Sequence, residues 1–127
     1  MTSLAFTTLV VRDYDEAIAW FTTTLGFTLT ADEPRENGKR WVTVHPAGSA
    51  AGLLLARAAT DAQAAHVGDQ TGGRVAFFLH TDHFDRDHSA FTARGVAFIE
   101  APRHEEYGKV AVFRDLYGNK WDLVEHR

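Results

Sequence analysis

The sequence contains no cysteine. Disulfides, thiolate nucleophiles and zinc–thiolate centres are therefore excluded together. A chain of 127 residues is long enough to bury a sizeable apolar core, so it needs no covalent staple to fold. Because proteins of reducing compartments commonly lack disulfides, we expect this protein in the cytoplasm.

Long apolar runs and clusters of basic residues are missing as well. No apolar run approaches the roughly 20 residues that a membrane-spanning helix needs. No basic stretch precedes the first apolar residues, from Met1 to Phe6, so no signal peptide is predicted. The formal net charge is −4, and no patch of cations is available to neutralise phosphates. We therefore expect a protein that binds neither membranes nor nucleic acid.

The first half of the chain opens with a strand and an amphipathic helix. Apolar and β-branched residues run from Leu4 to Val11. Asp13 then caps a helix whose apolar residues recur at helical spacing, and Gly26 ends it. A polar loop is predicted over residues 32–39, between the first two of three further strands. These strands are predicted at 27–31, 40–44 and 52–56.

The second half repeats this order of elements. After a connection over 58–73, a strand is followed by a helix with Phe84, His88 and Phe91 on one face, and Gly95 closes that helix. Gly118 and Asn119 form a turn signal before the last strand. The predicted strands cover 75–80, 96–100, 109–113 and 120–125.

The composition is that of one globular domain. Apolar residues make up 45% and charged residues 24% of the chain, which are ordinary proportions for a globular protein. We expect a single α+β domain over residues 1–127. It consists of two βαβββ modules, residues 1–57 and 74–127.

Three stretches of the sequence resemble signatures of the vicinal-oxygen-chelate superfamily (glyoxalase, bleomycin-resistance protein and dioxygenase). Leu9 to Phe27 is similar to its opening strand and helix, Ala93 to Phe98 to the matching part of its second module, and Phe113 to Leu123 to its closing hairpin. Leu116 stands where that hairpin usually has proline. The resemblance implies an open mixed-sheet barrel with helices outside, an internal cavity, and a homodimer.

Metal-dependent members of the superfamily hold a divalent ion in that cavity. The resemblance implies histidines on the first strand of each module and carboxylates on the last strand of each. Here the first-strand positions are Phe6 and Ala76, and residues 52–56 contain no carboxylate. Only Asp122 keeps an acidic group at such a position. We therefore expect no metal ligands and no cofactor.

Aromatic and polar side chains on the cavity-lining strands are the candidate site residues. A phenylalanine ring provides a flat apolar surface on which a planar ligand can pack. Trp41 and Arg40 are neighbours on one strand, so only one of the two faces inward. The predicted ligand-binding residues are Phe6, Thr8, Trp41, Phe78, Tyr107 and Asp122.

Asp122 and His80 are the candidate catalytic residues. A carboxyl in an apolar cavity has a raised pKa, as acids and bases in active sites do. The alternative for Asp122 is a salt bridge or hydrogen bond to Lys120 or Arg40. His80 shares a strand face with Ala76 and Phe78. The remaining histidines form no metal-binding pattern, and His45 is expected to face water.

The sequence thus favours a metal-free superfamily member that binds a small apolar or aromatic molecule in its barrel cavity. The alternative is an enzyme similar to glyoxalase I, a lyase, isomerase or dioxygenase. Such an enzyme would use a metal ion held by other residues, or acid–base catalysis by Asp122, His80 and Tyr107. A third hypothesis is a regulatory domain whose partner is another protein. The sequence leaves the ligand, and whether a reaction is catalysed, open.

Overall fold

The computed structural model describes all residues from Met1 to Arg127. The chain divides into two compact units, Met1–Val67 (unit 1) and Gly68–Arg127 (unit 2). Each unit contains one mixed sheet and at least one helix, so the predicted α+β class is confirmed. No helix combines the length and the apolar character needed to span a bilayer.

Unit 1 contains a four-stranded sheet. Its elements in chain order are β1 (Phe6–Val11), α1 (Tyr14–Ala19), β2 (Thr28–Pro34), β3 (Arg40–His45), β4 (Gly52–Arg57) and α2 (Asp61–Ala64). The strand order is β1-β4-β3-β2. The first strand pairs in parallel with the last, with Thr7 opposite Leu53, and the other pairs are antiparallel. Unit 1 therefore has the predicted βαβββ order.

The first helix begins and ends as predicted, because Gly26 follows the C-cap Leu25 with a positive φ of 74°, but its last turn is not α-helical. Asp13 caps it through a 2.9 Å hydrogen bond from the Glu16 backbone N–H. The α-helix ends at Ala19 and continues as a π-helical turn over Trp20–Thr24. The Thr22 hydroxyl donates to the Ile18 carbonyl oxygen at 2.7 Å, a backbone contact that bends helices.

Unit 2 contains a five-stranded sheet. Its elements are β5 (Val75–His80), α3 (Phe84–Ala93), β6 (Ala97–Phe98), β7 (Arg103–Glu105), β8 (Gly108–Arg114) and β9 (Lys120–His126). The order is β5-β9-β8-β6, with β7 also paired to β8. The predicted helical face is confirmed, because the ring of His88 lies between Phe84 and Phe98, with centroid distances of 5.4 and 4.1 Å.

Three local predictions were wrong, each where the sequence is polar. Residues 32–39 are not all loop, since β2 extends to Pro34 and only Glu36–Gly38 forms a 3₁₀ turn. The connection after β4 contains the short helix α2, capped by the Thr60 side chain. Strand β7 was not predicted, because Arg-His-Glu lacks the apolar alternation that indicates a half-buried strand.

Candidate functional site

In each unit the helix covers one face of the sheet, and the face on the other side is here named the distal face. Side chains alternate between faces along a strand. In unit 1 the buried residues Leu9, Val11 and Leu55 lie on the helix side. Alternation therefore places the other set on the distal face, and the residues of this set are Phe6, Thr8, Trp41, Thr43 and His45.

Aromatic rings meet edge-on on the distal face of unit 1. The Phe6 ring lies 6.1 Å from that of Trp41 and 5.5 Å from that of His45, measured between centroids. Phe6 and Trp41 each expose 37% of their surface. Arg40 points the other way, over the Tyr14 ring at 5.1 Å. Three predicted ligand-binding residues, Phe6, Thr8 and Trp41, therefore share one sheet face.

A β-bulge adds a polar network to this face. The register of β2 shifts between Leu29 and Ala31, which leaves Thr30 without a partner residue on β3. The Thr30 hydroxyl lies 2.7 Å from the hydroxyl of Thr43 and 2.8 Å from Nδ1 of His45. His45 is half-buried, and its imidazole lies between Thr30 and Phe6, two contacts that the sequence did not predict.

We predict that this network fixes one tautomer of His45, since the hydrogen bond at one ring nitrogen decides which nitrogen carries the proton. Thr30→Val removes the partner of Nδ1, and the ring is then expected to exchange between tautomers. Nitrogen-15 NMR of the imidazole measures this directly. Thr30→Ser keeps the hydroxyl and is expected to retain the wild-type spectrum. An unchanged spectrum in Thr30→Val would contradict the prediction.

The distal face of unit 2 places an aromatic ring beside a buried carboxyl. Phe78 on β5 is directly opposite Asp122 on β9, and Val112 on β8 is opposite Asp122 from the other side. Phe78 is 70% exposed, whereas Asp122 is 9% exposed. The register of β5 shifts around Ala76, so the simple alternation assumed for Ala76, Phe78 and His80 is interrupted at Ala76.

Asp122 is an unpartnered acid. Its Oδ1 atom is buried and has no hydrogen-bond partner. Burial raises the pKa of Asp122 above its ordinary value, the positive charge of Arg103 opposes this, and the negative charge of Glu100 adds to it. A buried polar atom without a partner is rare in native proteins and calls for a physical explanation.

The salt-bridge partners considered for Asp122 are engaged elsewhere. Lys120 Nζ donates to the Gly73 carbonyl oxygen at 3.3 Å. Arg40 forms ion pairs with Asp15 at 2.9 Å and with Asp32 at 2.7 Å. Asp122 is thus not a structural ion-pair residue.

His80 and Tyr107 lie near each other but not within hydrogen-bonding reach of Asp122. The imidazole of His80 stacks on His126 at 5.2 Å, and the Tyr107 ring lies 6.2 Å from His126. Tyr107 is 48% exposed. The next residue, Gly108, has φ +148°, and a Cβ there would lie 1.9 Å from the Glu125 carbonyl oxygen, so the backbone beside Tyr107 requires glycine. The three proposed acid–base residues therefore form no hydrogen-bonded relay.

Sequence reasoning missed four residues that shape these faces: Thr30, His45, Glu100 and Arg103. His45 had a usable signal, because it follows Trp41 and Thr43 in the alternation of β3. Thr30 had none, since a bulge leaves no mark in the hydrophobic pattern. Arg103 forms ion pairs with Glu100 at 2.9 Å and with Glu105 at 2.5 Å, and only the fold brings its charge near Asp122.

The β8–β9 turn is organised by a second buried acid, Asp115. Its Oδ1 accepts from the backbone N–H groups of Tyr117, Gly118 and Asn119 at 3.0–3.1 Å. Its Oδ2 accepts from Trp121 Nε1 at 3.0 Å and from Asn119 Nδ2 at 3.1 Å. The closing motif of the sequence is therefore explained by the hydrogen bonds that one carboxylate receives.

Comparison with known proteins agrees with this geometry. The model of the Glyoxalase/Bleomycin resistance protein/Dioxygenase superfamily matches residues 3–123. The chain belongs to this superfamily. An uncharacterized protein of Shewanella frigidimarina is 48% identical over 125 residues, which cover 97% of this chain and 93% of that protein.

Two solved members of the superfamily fold come from Streptomyces sp. CB03234. TnmS3, an antibiotic binding protein, is 28% identical and superposes with a TM-score of 0.81, covering 100% of this chain and 98% of that one. A glyoxalase/bleomycin resistance protein is 31% identical with a TM-score of 0.74, covering 96% and 99%. The predicted family and fold are thereby confirmed.

The side chains present do not fit the divalent metal centre of metal-dependent superfamily members. Such a centre needs imidazole or carboxylate ligands from several strands. At the expected ligand positions the first strands of the two units carry Phe6 and Ala76, and β4 offers only glycine, leucine, alanine and arginine. No group of three or more histidine or acidic side chains is arranged to hold an ion.

Proposed function

We propose that the protein binds a small apolar or aromatic molecule on the distal face of unit 2, without a metal ion. The observation that carries the proposal is the pairing of an exposed ring, Phe78, with a buried and unpartnered carboxyl, Asp122. Small-molecule sites combine apolar lining with a few placed polar groups. Phe78 supplies the stacking surface, and Asp122 supplies one directional acceptor.

The chemistry of Asp122 restricts the ligand. A carboxylate accepts hydrogen bonds, and a protonated carboxyl also donates one. The ligand is therefore a planar or apolar molecule that carries at least one N–H or O–H group, and this group hydrogen-bonds to the Asp122 carboxyl, which is 9% exposed. Because hydrogen bonds to charged groups contribute about 1.5–3 kcal/mol, this contact dominates selectivity over ligands that lack the donor.

The similarity to TnmS3 supports a binding function. That protein is an antibiotic binding protein, and it aligns with 100% of this chain. By analogy, the ligand class proposed here is an antibiotic-like aromatic natural product. The distal face of unit 1, with Phe6, Thr8 and Trp41, is a further proposed ligand-contacting surface. A homodimer, as the superfamily resemblance implies, and a cytoplasmic location, as the absence of cysteine suggests, are part of the same proposal.

An enzyme is the second candidate function, and the raised pKa of Asp122 is the observation that favours it. A carboxyl whose pKa is raised toward neutrality can exchange a proton with a substrate. The enzyme would be a lyase, isomerase or dioxygenase of the glyoxalase type. Recovery of a chemically altered compound after incubation with the protein would decide for it, whereas recovery of the unchanged compound supports binding alone.

The proposal is tested by screening planar aromatic compounds with thermal shift and then measuring affinities by calorimetry. Phe78→Ala is expected to weaken binding of a hit by about tenfold or more, the usual effect of truncating an aromatic anchor. Leu116→Ala is the matched control, since Leu116 is 39% exposed in unit 2 but lies on the β8–β9 turn. Equal affinities of Phe78→Ala and wild type, or a screen without any stabilising compound, would contradict the proposal.

Trp41→Ala tests the second surface separately. If the unit 1 face binds an aromatic compound by itself, this change is expected to weaken that binding by about tenfold. An unchanged affinity would restrict the site to unit 2. Either result leaves the test of Phe78 intact.

A further inference from the structure

A cleft of about 230 Å³ lies beside the β8–β9 turn of unit 2. The segment from Gly68 to Arg74 forms one wall, and residues of the turn form the other. Three of its lining side chains are cations: Arg74, Arg114 and Lys120. We propose that this cleft, here named the oxyanion cleft, binds a small oxyanion such as the phosphate or carboxylate group of a metabolite.

The charges around the oxyanion cleft are not neutralised within the protein. Arg74, Arg114 and Lys120 form no salt bridge, whereas six other cations of the chain are each paired with a carboxylate. These six are Arg12, Arg35, Arg40, Arg86, Arg103 and Lys109. Asp69 is the single acidic residue in the lining, so the cleft keeps an excess of positive charge. This excess favours an anion.

Two of the cations are held in place by neutral partners. Arg114 donates to the Gly118 carbonyl oxygen at 3.0 Å, and Lys120 donates to the Gly73 carbonyl oxygen at 3.3 Å. A guanidinium has five N–H donors and an ammonium has three, so each side chain keeps donors for a ligand. Carbonyl partners orient these groups without cancelling their charge. Such preorganisation lowers the entropic cost of binding.

The walls of the cleft are fixed by backbone contacts. Gly68 has φ +78°, and a Cβ there would lie 2.1 Å from the Tyr117 carbonyl oxygen, so only glycine allows this close approach. The Gln70 backbone N–H donates to Asn119 Oδ1 at 3.0 Å. Asp115 in turn fixes the turn that carries Asn119. The cleft is thus built on a rigid turn.

A small anion fits these features better than a nucleic acid. Nucleic-acid binding needs many cations along an extended surface, because affinity comes from several phosphate contacts. Here three cations surround one cleft, and the whole chain has a formal net charge of −4. The oxyanion cleft therefore suits one charged group of a small molecule.

The test is a titration of the full chain with inorganic phosphate, followed by NMR of the backbone amides at constant ionic strength. Saturable shifts are expected at Gly68, Gly118 and Lys120, and a parallel titration with acetate ranks carboxylate against phosphate. Arg114→Gln is expected to weaken binding by about fivefold or more, as loss of a charge-assisted hydrogen bond does.

Lys39→Gln is the matched control, because it removes the same charge from unit 1 and is expected to leave the affinity unchanged. The proposal would be overturned if the shifts did not saturate, or if both variants lost affinity equally. Either result would mean that phosphate acts only by ionic screening. Tighter binding of a short DNA oligomer than of phosphate at the same amides would overturn it too. Aromatic ligands are expected to bind Arg114→Gln as they bind wild type, so this test is independent of the function proposed above.

Discussion

Asp122→Leu is expected to stabilise the unliganded protein at pH 7 and to abolish high-affinity ligand binding. The variant removes a buried carboxyl whose Oδ1 has no partner, a defect that costs about 1–3 kcal/mol. Leucine has the same branching at Cγ, and its methyl groups suit the neighbouring Phe78 and Val112. A stabilisation of 1 kcal/mol raises the melting temperature by roughly 4 °C in a domain of this size. Opposite changes in stability and affinity are typical of functional residues.

The pH dependence of stability is a second test of the raised pKa of Asp122. The folded-state pKa of Asp122 lies above the unfolded value, so the folded state binds its proton more tightly. The contribution of Asp122 to the free energy of unfolding is therefore fully present below its unfolded-state pKa and is lost as pH rises through its folded-state pKa. Denaturant titrations over that range are expected to show this loss in wild type but not in Asp122→Asn.

Asp85→Asn is the opposing control, because the pKa of Asp85 is lowered, first by its hydrogen bond and then by its charge interaction with Lys109. Its contribution is present above the unfolded pKa and disappears as pH falls through the folded pKa. Identical pH profiles for wild type and Asp122→Asn would show that the carboxyl is not perturbed. A destabilised Asp122→Leu variant would show that Asp122 has a structural partner.

Asp115→Ala is expected to cause a large loss of stability. The variant removes the carboxylate that accepts from the buried Asn119 side chain, the Trp121 indole N–H and the backbone N–H groups of Tyr117 and Asn119, whereas Gly118 keeps the carbonyl oxygen of residue 115 as an acceptor. Each unsatisfied buried donor costs about 1–3 kcal/mol, so the loss exceeds roughly 3 kcal/mol. That is a large part of the 5–15 kcal/mol by which domains of this kind are stable.

Urea denaturation followed by tryptophan fluorescence measures this loss. Asp13→Ala is the matched control, because Asp13 is exposed and caps α1 through a hydrogen bond from the Glu16 backbone N–H. Loss of such a cap costs about 1 kcal/mol. If the two variants were equally stable, the hydrogen bonds of Asp115 would not hold the β8–β9 turn.

The sequence predicted most of the fold because the apolar residues follow the periods of helices and strands. Asp13 and the apolar face from Tyr14 to Phe21 identified α1, and the short apolar run from Leu53 to Ala56 identified β4. The failures have one physical cause. Arg103–Glu105 and Asp32–Pro34 are held in strands by hairpin pairing with the next strands, β8 and β3, and the apolar periodicity of a single polar segment does not report such pairing.

The site was predicted in part. The position of Asp122 in the closing motif and the expected faces of the first strand of each module identified the candidate residues. The state of Asp122 was not predictable, because Lys120 and Arg40 choose their partners only in the folded chain. The polar network around His45 depends on the bulge at Thr30, which shifts the register by one residue without any change in hydrophobicity.

The pairing of the first strand of each unit with its last has a consequence for how the chain folds. Thr7 meets Leu53 in unit 1, and Phe78 meets Asp122 in unit 2, so each parallel pair closes a long loop. The entropy of closing that loop is lost before the pair is formed, which slows folding. During synthesis on the ribosome, β1 therefore remains unpaired until β4 has emerged, whereas the hairpin of β2 and β3 can form earlier.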